Sequence, residues 1–79
     1  MRFIYDEEAD ILYAFYGRPT SSIYESAGSG IYIRKDEKTD NIVGFMILNY
    51  ASRLNQGKLP PIPHFENTEV PSLEQLSEA

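Results

Sequence analysis

The residues best suited to chemistry in this chain are carboxylates. Asp6, Glu7, Glu8 and Asp10 fall within one short run, and such a group can hold a hard cation through its oxygens. Its spacing is not that of a calcium loop, and it has no glycine for the sharp turn such a loop needs. Hairpin chemistry explains it better: Asp6 can accept backbone N–H groups in an Asx-turn, and Asp10 can close the reversal. A second acidic stretch, Asp36 to Asn41, places Lys38 where a calcium loop wants an oxygen ligand. It reads as an exposed turn. His64 is the only histidine, and it sits beside prolines, a poor place for the geometry that acid–base work requires. Ser26, Gly28 and Ser29 surround a glycine turn. Phosphate cradles open into a helix, whereas Ile31-Tyr32-Ile33 follows here as a strand. Six tyrosines raise the possibility of a stacking surface for nucleic acid, but such surfaces interleave aromatics with basic groups, and the net charge is −5. No catalytic residue, cofactor or metal ligand is assigned. The chain reads as non-enzymatic, and nucleic-acid binding by itself is not expected.

These residues must be positioned by a small frame. At 79 residues, one domain is the natural expectation, and so short a chain buries a limited core. With no cysteine, neither disulfides nor thiolate zinc can reinforce it, which leaves oligomerisation as the common device. No apolar run of about eighteen residues occurs, so no segment is expected to span a membrane. The start turns acidic at Asp6 and lacks a signal-peptide core; a cytoplasmic protein is expected. Residues 1–54 carry a net charge of −2 and residues 55–79 carry −3, so the tail is the more acidic part for its length.

Short β-rich runs separated by turn signals predict strands at Arg2–Tyr5, Ile11–Tyr16, Ser22–Glu25, Ile31–Lys35 and Ile42–Leu48. Gly17 to Ser21, with Pro19 as a breaker, is the expected second turn. The pattern then predicts a short helix, with Asn49 able to cap its start and Gly57 placed just past its end. Pro60, Pro61 and Pro63 mark an extended linker, and Ser72 with Gln75 form a capping-box pattern for a last short helix. The expected fold class is α+β, mainly β: an antiparallel β-meander of about five strands, a short C-terminal helix and an extended tail. Residues 1–57 form the domain and residues 58–79 the proline-rich acidic tail. That tail has several readings: disorder, docking in a partner groove, packing on its own sheet, or crossing to the sheet of a neighbouring copy.

Tyr5, Asp6, Glu8, Ala9, Asp10, Leu12 and Tyr13, followed by Gly30, Ile31, Ile33, Val43, Gly44, Ile47, Leu48, Ala51 and Ser52, carry a likeness across residues 3–54. This stretch resembles domain of unknown function family 2283, a group of small bacterial and archaeal domains. The resemblance implies a β-meander followed by a helix, and no catalytic residues. It also suggests an antitoxin-like role, since members occur near toxin-like proteins.

Alternation along strands sorts side chains onto two faces. Phe3, Tyr5, Leu12, Ala14, Tyr16, Ile31, Ile33, Val43, Phe45 and Ile47 are expected inward. Ile4, Tyr13, Phe15, Tyr32 and Met46 then form an apolar outer face, large enough to mark an interaction site. Relatives tend to be polar at positions 15 and 46. Burying each such side chain contributes roughly 1.5–3 kcal/mol against an association cost of about 4–15 kcal/mol. The expected function is therefore a non-enzymatic interaction protein. It would self-associate, most simply as a dimer, or bind a protein partner through this face. The alternative is an antitoxin-like partner of a small basic toxin-like protein. Cover by the chain's own helix or tail is the competing reading of the face.

Overall fold

The computed structural model describes residues 1–18 and 21–77; Pro19, Thr20 and the last two residues, where parts of a turn and a terminal helix are expected, lie outside the described residues. Five strands form one antiparallel sheet: β1 (Arg2–Asp6), β2 (Ile11–Phe15), β3 (Ser22–Ser26), β4 (Ile31–Asp36) and β5 (Ile42–Leu48). Helices α1 (Tyr50–Gln56) and α2 (Leu73–Ser77) follow. The α+β, mainly β class is the expected one. The strand order is β1-β2-β5-β4-β3, so sequential neighbours pair in two groups, a β1–β2 hairpin and a β3–β4–β5 meander. β5 closes the sheet by pairing with β2, and the β2–β3 link crosses to the far edge.

The inward set packs as alternation requires. Leu12, Ala14, Ile31, Ile33, Phe45 and Ile47 are buried in one cluster, with Phe3 and Tyr5 against it. Val43 departs from expectation. The ladder shifts register between Arg34 and Lys35, and a bulge of this kind resets the alternation. Ile42, not Val43, packs on the core. Gly44 sits beside this irregularity, where a Cβ would overlap the Ala14 carbonyl oxygen and stand 2.9 Å from Phe15 Cα. Only glycine allows β5 to lie this close to β2.

The tail is the second layer. Tyr50, Ile62 and Phe65 are buried in the same cluster, and Leu54, Leu59, Val70 and Leu76 pack against it. Phe65 sets its ring 4.8 Å from that of Phe45 and stacks at 6.1 Å on Tyr16, which faces inward but stays about half exposed. Of the readings of the tail, the structure shows packing on the chain's own sheet, and the cover falls on the inward face, not the outer one. Apolar residues spaced along residues 59–76 supply the reason.

Both helix ends of α1 are closed, one of them by an unexpected group. Gly57 is left-handed (φ 64°), and Lys58 N–H donates to Arg53 O while Gly57 N–H donates to Leu54 O, the Schellman arrangement. Asn49 does not cap the start: it is itself left-handed (φ 57°) and its side chain makes no capping bond. Asp10 does the work instead. In α2 the expected capping box forms, with Ser72 N–H donating to Gln75 Oε1 at 2.8 Å and Gln75 N–H to Ser72 Oγ at 3.2 Å.

Candidate functional site

α1, α2 and the tail core residues all pack against the inward face. The opposite face carries every residue of the expected interface, brought together by register. Ile4 pairs with Tyr13, Tyr13 with Met46, and Met46 with Tyr32. These four side chains form one row across four adjacent strands. Ile4 is half exposed, while Tyr13, Tyr32 and Met46 are part-buried by one another and by the row beside them.

That second row runs Arg2, Phe15, Gly44, Arg34, Tyr24 in register. It changes the expected role of Phe15. The Arg2 and Arg34 guanidinium carbons lie 5.5 and 5.6 Å from the Phe15 ring centroid, within cation–π range, and Phe15 is only 7 % exposed. Arg34 is held further by its Nε donating to Ser22 Oγ at 2.6 Å. Phe15 is thus the floor of an arginine-covered patch, not a bare contact. Sequence alternation placed it on the right face; nothing in it showed that arginines on β1 and β4, neighbours only through strand order, would cover it.

The acidic run is organised for structure. Asp6 Oδ1 accepts Ala9 N–H at 3.2 Å, closing the β1–β2 turn. Asp10, left-handed at φ 56°, accepts Tyr5 O–H at 2.7 Å, Ala51 N–H at 2.7 Å, Ser52 Oγ–H at 2.9 Å and Ser52 N–H at 3.3 Å. Its own carbonyl accepts Tyr50 N–H at 3.0 Å. A hairpin carboxylate therefore serves as the N-cap of α1. Burial alone would raise the Asp10 pKa. The bonds from Ala51, Tyr5 and Ser52 outweigh it and hold the carboxyl below its ordinary value. Its bond to Asp10 in turn pushes the Tyr5 hydroxyl up to about 12.

The other sequence candidates sit apart. Asp36 Oδ1 accepts Lys38 and Thr39 N–H groups at 2.8 and 2.9 Å, an Asx-turn. Ser26 Oγ accepts Gly28 N–H in a hairpin turn. His64 lies exposed in a tail turn, its N–H donating to Glu66 Oε1 at 3.3 Å. Among the described residues, no three histidine, cysteine, aspartate or glutamate side chains converge as metal ligands. A groove of about 590 Å³, which the sequence did not signal, opens between β1 and the tail, walled by Phe3, Tyr5, Val70, Pro71 and Leu76.

The Tyr5 and Asp10 positions joined in this network also carry the family likeness. A family model described as protein of unknown function (DUF2283) matches residues 2–50. The chain belongs to that family. In this DUF2283 protein the matched segment comprises the whole sheet and ends as α1 begins, so the covering layer lies almost entirely beyond it. No curated protein and no solved structure gives a match. No helix among the described residues is long and apolar enough to cross a membrane.

Proposed function

We propose that this protein is a small, non-enzymatic interaction module of the cytoplasm that self-associates or binds a protein partner through the outer face of its sheet. The observation that supports this is the one-sided cover. Among the described residues, the apolar cover from α1, α2 and the tail packs on the inward face, while the opposite face presents Ile4, Tyr13, Met46 and Tyr32 side by side in register. Strands lie about 4.8 Å apart, so the row is roughly 15 Å long. Tyrosine, methionine and arginine around an apolar centre is the composition favoured at interface cores. A small basic partner, the alternative suggested by the charge split, would meet acidic groups on the hairpin turn and the packed tail, since the tail is engaged in the protein's own core.

The test is light scattering together with amide shifts across a protein concentration series. The self-associating wild type should shift its Tyr13, Tyr32 and Met46 amides as mass rises, and a Tyr13→Glu, Tyr32→Glu variant should lose those shifts while keeping its fold. A monomeric wild type with unmoved outer-face amides refutes self-association through this face.

A further inference from the structure

β1 stands at the end of the sheet, and among the described residues its outer edge has no partner. The ladder shows which backbone groups face that edge. Tyr16 N–H donates to Val43 O, and Leu48 N–H donates to Gly30 O. In an antiparallel ladder each residue directs both backbone groups to one neighbour, and the direction alternates along the strand. Leu12 and Ala14 therefore bond to β5, whereas Ile11, Tyr13 and Phe15 bond to their β1 partners Asp6, Ile4 and Arg2. Phe3 and Tyr5 are left with N–H and C=O groups directed at the open edge.

The β1 sequence, Arg-Phe-Ile-Tyr-Asp, complements its own reverse. Set antiparallel to a second copy about Ile4, Arg2 stands opposite the partner's Asp6 and Phe3 opposite the partner's Tyr5. The two residues with outward backbone groups face each other, so the hydrogen-bonding phase agrees with the charge pairing. Arg2, Ile4 and Asp6 share the outer face, and Arg2 is held there over Phe15. The other edge, β3, lacks this property: pairing about Tyr24 sets Ile23 opposite Glu25, which already binds Lys35 at 2.9 Å.

We infer that β1 is a homodimerisation edge, joining two copies into one continuous ten-stranded sheet. Its two-fold axis is normal to the sheet, an isologous contact. Both covered faces then lie on one side, and the two grooves walled by Val70, Pro71 and Leu76 meet across the axis. On the other side the half-exposed Ile4 packs on its counterpart, where paired Cα atoms approach to about 4.5 Å. The outer-face row is lengthened, not covered, so this contact stands independently of the outer-face reading.

The test uses the full chain in sedimentation velocity and amide hydrogen exchange, from about 10 μM to 1 mM, a range suited to a small interface. Wild type should dimerise, with Phe3 and Tyr5 amides gaining protection as concentration rises. Arg2→Asp and Asp6→Arg each set like charges opposite and should weaken the dimer about tenfold. Mixed one to one, these variants present opposite charges at both positions and should recover a heterodimer. The Tyr13→Glu, Tyr32→Glu variant should keep the edge dimer. A monomeric wild type, protection confined to β3 or to Tyr13 and Met46, or a mixture of folded variants that fails to pair overturns the proposal. Should either variant not fold, the Phe3 and Tyr5 protection in wild type decides it.

Discussion

Replacing Asp10 should cost this protein more than any other single acidic position in the hairpin. α1 has seven residues, too short to persist unaided, and Asn49 offers it no side-chain cap. Asp10→Ala removes a cap bonded to Ala51 and Ser52, worth about 0.5–2 kcal/mol. It also puts alanine in the left-handed region at φ 56°, at about 1–2 kcal/mol. Tyr5 loses its acceptor, but water reaches that part-buried hydroxyl, so its net loss is about 0.5–1 kcal/mol. The total is about 2–5 kcal/mol, against roughly 4–12 kcal/mol for a domain of this size, or a melting-point drop of roughly 8–40 °C. Asp10→Asn keeps the backbone conformation and one acceptor and should cost about 1 kcal/mol. Exposed Glu8→Ala should fall within about 0.5 kcal/mol of wild type. Urea melts followed by circular dichroism or tyrosine fluorescence measure all three, since the chain has no tryptophan. An Asp10→Ala variant no less stable than Glu8→Ala would refute the capping argument.

Two further outcomes follow from the same geometry. The Asp10 carboxyl is held below its ordinary pKa of 3.8, so its stabilisation is complete above that value and is lost as pH falls through the lower folded value. Tyr5 runs the other way, stabilising below pH 10.0 and losing its contribution as pH rises through about 12. Denaturant midpoints across pH should show both flanks in wild type, with the acid flank flattened in Asp10→Asn and the alkaline one reduced in Tyr5→Phe. Gly44→Ala would force a Cβ against the Ala14 carbonyl and Phe15 Cα, and should cost about 2–4 kcal/mol in the same melts.

Local patterns in the sequence carried the strands, their faces and three of the helix-end devices. Leu12, Ala14, Phe45 and Ile47 alternate and are buried; Gly57, Ser72 and Gln75 do what their positions require. What escaped was non-local. Asp10 and Ala51 lie 41 positions apart, and the cap joins them only because β5 enters beside β2. The cover on Phe15 depends on the same strand order, and the displacement of Val43 on a bulge that alternation cannot foresee. The tail kept several readings, packing on its own sheet among them, because apolar residues announce burial without naming the surface.

That surface is found with the help of one directional bond. Tyr50 is fully buried, and its hydroxyl donates to the Pro71 carbonyl at 2.6 Å. The apolar contacts of Ile62, Phe65, Val70 and Leu76 are non-directional, and a segment held by them alone could slide along the sheet into several comparable placements. A hydrogen bond formed inside that interface does not tolerate such sliding, because a shifted tail would strand a buried hydroxyl. Tyr50 thus acts as an index mark, turning adhesion into a single alignment. The groove wall formed by Val70, Pro71 and Leu76 inherits its position from that mark.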